Sequence, residues 1–389
     1  MSEHLTAHDL AALVRRVFQP TAEDRGLVIL VDLPDARRTD HPAWRARREM
    51  AADWAAKLAG VRAEIGLEHV TLAWYPNVGS NNADLPATCV VGEAGAPLHH
   101  AGQLAGCAPI PLAELLDRHS IVLAPTELSA TAPLKVLVRG RAARAATMPG
   151  FLAAMIPALR LDYGEVHRRC LRLKAWLDEA ESAVIRFRVG AATHELRLDL
   201  RHRRATASSG LFPTNGVAGN LPSGETYIVP YEGEIAGDPS RTAGTLPVQF
   251  GEDLGNEVVI YRVAANRAVA VLSDGPASAA ERTRIAAEPA YANLAELGFG
   301  VLDDFGLAPT GSILLDEKLG LHIAFGRSDH FGGRVGPADF SAPQAVVHID
   351  RVYLPALQPA VGVAAAVLEG PGGRREILRD GRYAAIWSD

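Results

Sequence analysis

The chain has 389 residues, 48% hydrophobic and 22% charged, with a formal net charge of -6. That length exceeds the usual size of one compact core and predicts two domains, and the composition is that of a soluble globular protein. An acidic balance supplies no general basic field for counterion release, so a nucleic-acid partner is excluded; the patch Arg201-His-Arg-Arg204 reads as solvated surface.

The three cysteines, Cys89, Cys107 and Cys170, form no Cys-x-x-Cys pair, which excludes a thiolate zinc site and suits a reducing cytoplasm. The opening Met-Ser-Glu-His-Leu lacks the basic and apolar regions of a signal peptide, and the longest apolar run, residues 361–368, is too short to span a bilayer. A cytoplasmic protein with no membrane partner is expected.

In chain order, a strand is expected over residues 26–32, a helix from Pro42 to about Ile65, and strands at residues 70–75 and 120–124. This alternation predicts a mostly parallel α/β sheet. Gly92-Glu-Ala-Gly-Ala-Pro matches neither the dinucleotide fingerprint nor the P-loop, so no nucleotide site is expected there. His99 and His100 read as a surface pair. A long helix from about Asp162 to Glu181 carries Val166, Cys170, Leu173 and Leu177 on one stripe at helical spacing.

From about Ala183 the pattern changes to short strands punctuated by Gly, Pro and Asn, at residues 182–189, 194–200 and 257–261. A helix with a Ser cap is expected from Ser278 to about Leu297, leaving Glu296 near its end or in the turn Gly298-Phe-Gly300. Residues 363–378 read as a closing hairpin about Gly370-Pro-Gly-Gly373. The fold class is therefore α/β: a mostly parallel sheet domain over residues 1–182, followed by a β-rich α+β domain over residues 183–389 that carries the metal chemistry.

That chemistry lies in acid and imidazole residues of the second half. In Val347-His348-Ile-Asp350-Arg the alternation of a strand points His348 and Asp350 the same way, so both can reach one metal. His322 lies on another strand, with Glu317 in a turn just before it. Gly219-Asn220-Leu-Pro222-Ser-Gly224 is a turn that delivers Glu225 to the start of a strand. Nitrogen and oxygen donors without thiolate suit Zn, Mn, Co or Fe(II), and several carboxylates around two imidazoles can hold two divalent ions.

Four motifs, Asn220-Leu-Pro-Ser-Gly-Glu225, Glu296 before its Gly-rich turn, Glu317-Lys leading into His322-Ile-Ala-Phe-Gly326, and the closing His348-Ile-Asp350, appear in the order found in the aminopeptidase T and aminopeptidase S metallopeptidases, which the chain resembles. With Ala146-Thr-Met-Pro149-Gly150 upstream, the resemblance covers about residues 140–355. It implies a centre of two ions (zinc, cobalt or manganese) held by Glu225, Glu296, His322, His348 and Asp350, with Glu317 as general base. It further implies hydrolysis of an amino-terminal peptide bond in a small-molecule or short peptide substrate, and a homodimer or larger assembly.

The chain departs from that pattern at Asp329-His330, where peptidase members carry a Tyr, and at Ile349, where many carry Trp. His330 is thus a candidate acid/base or anion contact in place of the phenol. The ring-cleaving 2,5-dihydroxypyridine dioxygenases are similar to this family in fold but use one Fe(II) held by two His and one Asp, with His at the Glu296 position. Such a dioxygenase is the alternative, and a non-catalytic binding protein on the same scaffold is a third possibility; Glu296 favours the carboxylate-rich hydrolytic centre.

Overall fold

The strand Gly26–Leu33 is eight residues long and buried throughout, the mark of an interior strand covered on both faces. In the computed structural model, which describes residues 4–387, it lies in the middle of a seven-stranded sheet. The sheet order is Ala218–Asn220, Arg144–Thr147, Ile121–Ala124, Gly26–Leu33, His69–Pro76, Thr88–Gly92 and Pro109–Pro111. The first five strands run parallel, while Thr88–Gly92 pairs antiparallel with His69–Pro76 and Pro109–Pro111 pairs antiparallel with Thr88–Gly92.

The helix Pro42–Val61 packs on this sheet and gives way to a 3-10 turn, Arg62–Ile65, which ends at Gly66 in the left-handed region (φ 73°). The helix Ala7–Phe18 begins with a capping box between Thr6 and Asp9. Sheet and helices belong to a first unit made of residues 1–167, 208–223 and 310–315.

The second unit comprises residues 168–207, 224–309 and 316–389, and is rich in antiparallel sheet. Eight strands run in the order Arg267–Val271, Val258–Ala264, Ala243–Gln249, Ala192–Asp199, Ser182–Val189, Gly362–Gly370, Gly373–Arg379 and Arg382–Tyr383. A five-stranded sheet contains the consecutive strands His348–Val352, Leu321–Gly326, Leu294–Gly300 and Glu225–Ile228. The fold is therefore mixed α/β, with a parallel-containing sheet and further antiparallel sheets. The helical stripe of Val166, Cys170, Leu173 and Leu177 is fully buried on the helix Tyr163–Glu179. Among the described residues no helix is long and apolar enough to cross a membrane.

Two sequence expectations are corrected. The helix expected over residues 278–297 is Pro276–Ala287, and Pro289 two residues later cannot continue it. Ser278 is not its cap: the Glu257 carboxylate accepts from the Ala277 and Ser278 backbone N–H groups and does that work instead. Leu294–Gly300 is then a strand, so Glu296 is a strand residue rather than the end of a helix. Upstream, Ala218–Asn220 is not part of a free turn but pairs in parallel with Arg144–Thr147.

Candidate metal centre

The strand period of two places Glu296, Gly298 and Gly300 on one face of the strand Leu294–Gly300. Register brings the partners onto the same face: Glu225 opposite Gly300, Tyr227 and His322 on either side of Gly298, and Glu296, Ala324 and Asp350 in a row. The two glycines leave space where side chains would otherwise stand. A Cβ on Gly300 would lie 2.2 Å from the Lys318 carbonyl carbon, so only glycine lets the Glu317–Leu319 turn press against this strand.

Four sequence-predicted ligands converge on the fifth, Glu296, whose two oxygens point to different partners. Oε1 lies 3.3 Å from His322 Nε2, which is itself 3.5 Å from Glu225 Oε2. Oε2 lies 3.3 Å from His348 Nε2, which is 3.4 Å from Asp350 Oδ1. Two triads result, Glu225/Glu296/His322 and Glu296/His348/Asp350, each with its donor atoms close enough to hold one ion. Both imidazoles are oriented from behind. His348 Nδ1 donates to the Arg327 carbonyl (2.8 Å) and His322 Nδ1 to that of Gly320 (3.3 Å), which turns each Nε2 inward toward Glu296.

Glu317 is outside both triads and joins them through Lys318, a residue that the sequence reading passed over. The Lys318 side chain is completely buried, 2.5 Å from Glu225 Oε1 and in contact with Glu317 Oε1. Glu225 Oε2 is buried with no hydrogen-bond partner. An orphaned carboxylate oxygen is costly in a dry site, and it faces the place where a cation would sit. Four carboxylates around one lysine and two imidazoles form a donor set of hard oxygens and borderline nitrogens, which fits one or two divalent ions.

The metal-free electrostatics carry the same demand for positive charge. Burial disfavours the ionised form of Glu296, but hydrogen bonds from His322 and His348 outweigh it and hold this carboxyl far below its usual range. Burial works against protonation of His322, yet the adjoining Glu296, Glu225 and Asp350 raise it to about 9, and His348 moves upward for the same kind of reason. Glu317 behaves oppositely: burial, reinforced by Glu225 and Asp350, lifts it to about 8 against the opposing pull of Lys318.

His330 stands on the 3-10 turn Asp329–Phe331 beside the second triad, its ring edge-on to His348 with centroids 5.3 Å apart. Burial, with the charges of His348 and Arg327, lowers it to about 4, so it is a neutral imidazole at neutral pH. Phe331 packs against His348 and Tyr227 at 5.3 and 4.7 Å. The turn is fastened by Glu232, whose Oε1 accepts from Ser328 Oγ (2.6 Å) and Asn293 Nδ2 (2.7 Å), while Oε2 accepts from the Arg334 backbone N–H.

Lys318 carried no legible signal, because a lysine in Asp-Glu-Lys-Leu-Gly reads as a solvated turn. The glycine pair at 298 and 300 was the available clue, since Glu-x-Gly-x-Gly on a strand empties one face beside an acid.

Sequence comparison finds no matching family model and no matching curated protein. Solved structures do match. The 2,5-dihydroxypyridine dioxygenase of Pseudomonas putida superposes with a TM-score of 0.61 at 13% identity, over 98% of this chain and 98% of that one. The wild-type AmpT (aminopeptidase T) of Thermus thermophilus superposes with a TM-score of 0.56 at 15% identity, over 97% of this chain and 99% of that one. Both likenesses run essentially end to end, and at these identities they establish a shared fold.

Proposed function

We propose that the protein is a metal-dependent hydrolase that cleaves an amino-terminal peptide or related amide bond in a small-molecule or short peptide substrate. The observation that carries this reading is the division of Glu296 between two triads, an arrangement suited to a pair of zinc, cobalt or manganese ions. Bound there, such ions would lower the pKa of a water and polarise a scissile carbonyl.

The chain's own groups supply the proton traffic. Glu317, joined to the triads through Lys318, is the carboxylate placed to take a proton from water and return it to a leaving nitrogen. Lys318 holds Glu317 Oε1, which leaves the second oxygen for that exchange. His330, neutral and beside His348, can offer a hydrogen bond where a phenol is expected in peptidases.

The single-Fe(II) ring-cleaving reading is kept because His330, an imidazole, stands next to the Glu296/His348/Asp350 triad. One experiment separates the two. Protein purified without chelator and without air is analysed for bound metal, then reconstituted in parallel with Zn, Mn, Co and Fe(II). Each form is assayed on aminoacyl arylamides and, by oxygen uptake, on a dihydroxypyridine. Arylamide cleavage with about two ions per chain supports the hydrolase; oxygen uptake specific to the iron form overturns it.

A further inference from the structure

The two triads are chemically similar but differ in their electrostatic surroundings. Glu225 must share its carboxylate with Lys318, whose ammonium is completely buried and 2.5 Å from Oε1, so only Oε2 remains for an ion. Among the described residues no lysine or arginine side chain pairs with Asp350 or Glu296. Asp350 and His348 are also the more open ligands, with side chains 11% and 18% exposed, whereas His322 is fully buried.

From this we infer that the centre is built unequal: Lys318 is a fixed internal cation that makes the Glu225/Glu296/His322 position the weak, exchangeable one and leaves Glu296/His348/Asp350 as the resident one. The inference rests on the metal-centre reading above and adds an order of filling to it.

The physical reason is like-charge repulsion in a site without solvent screening. A cation on one oxygen of Glu225 opposes a second cation on the other, and the repulsion weakens with distance toward Asp350. Lys318 cannot swing away to relieve it. Its backbone carbonyl accepts from the Leu302 N–H, and its side chain is clamped by Glu225 and Glu317 together. Lys318 therefore acts as a positioning residue: it makes Glu225 a one-oxygen donor and sets the affinity of the position that Glu225 serves.

The test is a binding measurement on the full chain, stripped of metal and titrated with Mn2+ alone, then Zn2+ alone, by calorimetry with elemental analysis of the dialysed product. Two uptake steps at least about tenfold apart in Kd are expected, or a single ion if the second step is weaker still. His348→Ala should abolish the tight step, whereas His322→Ala should leave it within about threefold and remove only the weak one. Lys318→Gln, which keeps a hydrogen-bond donor but removes the charge, should tighten the weak step by about tenfold or more. Equal steps, loss of the tight step in His322→Ala, or a Lys318→Gln protein whose weak step is unchanged or weakened would overturn the inference. If Lys318→Gln fails to fold by circular dichroism, the wild-type titration and the two His variants decide alone. Absence of any uptake would sink the metal-centre reading itself, while failed arylamide cleavage with two unequal steps intact would sink only the hydrolase.

Discussion

Gly298 faces His322 across the sheet so closely that a Cβ at position 298 would lie 1.9 Å from His322 Nε2. The backbone there is not strained; space alone requires the glycine. Gly298→Ala should therefore push the imidazole off its bearing toward Glu225 and Glu296, weakening the ion that this triad holds by roughly 10- to 100-fold, the scale of a lost orienting contact. Titration of the metal-free variant measures the effect, and wild-type affinity would show that the ring has another place to go.

Glu317→Gln removes the proposed proton carrier but keeps its shape and its contact with Lys318. Turnover should fall by at least about a hundredfold with bound metal unchanged by elemental analysis. Full activity would remove Glu317 from the chemistry and leave Lys318 as its only reason for being there.

Ser328→Ala deletes a donor to Glu232 at a position where Ser328 Oγ also accepts from the Val335 N–H. The turn that carries His330 should loosen by about 1–3 kcal/mol, the cost of leaving buried polar groups unpaired. Hydrogen exchange over residues 327–336 should quicken while the strand Leu294–Gly300 stays protected. Uniform exchange in both segments would show that Glu232 is not the fastening.

In the first unit, Arg144 grips Asp24 with two nitrogens at 2.7 and 2.9 Å, both side chains buried. Burial alone would raise the Asp24 carboxyl from its ordinary 3.8, but the Arg144 hydrogen bonds outweigh it and bring it down to about 2. A depressed folded-state value means that this stabilisation is fully present above 3.8 and is lost as pH falls through about 2. It amounts to about 2 kcal/mol. The stability gap between wild type and Arg144→Met should be wide at pH 6 and narrow toward pH 2.5, as read by denaturant unfolding. A gap independent of pH would assign the loss to packing.

The positions of His348 and Asp350 were legible because strand alternation is a two-residue rule that needs no tertiary information. Glu225 and the turn before His322 were legible for a similar reason, since Pro and Gly punctuate the chain locally. Glu296 was read onto a helix because Ala, Glu and Arg dominate residues 279–288, and nothing local announces that a strand resumes five residues after Pro289. Lys318 lay beyond reach for a different cause: the preference of lysine for water is overridden only by two acids, one of which is nearly a hundred positions away in sequence.

The edge strand Ala218–Asn220 completes the first unit's sheet, yet it follows strands that belong to the second. On the ribosome, the Arg144–Thr147 strand must wait with an open edge while some seventy further residues are made. Fragments ending near residue 200, an attractive cloning boundary on length alone, would carry that exposed edge permanently and should self-associate. Separating the two units by truncation is thus topologically barred; a circular permutant or a grafted strand would be needed to obtain either alone.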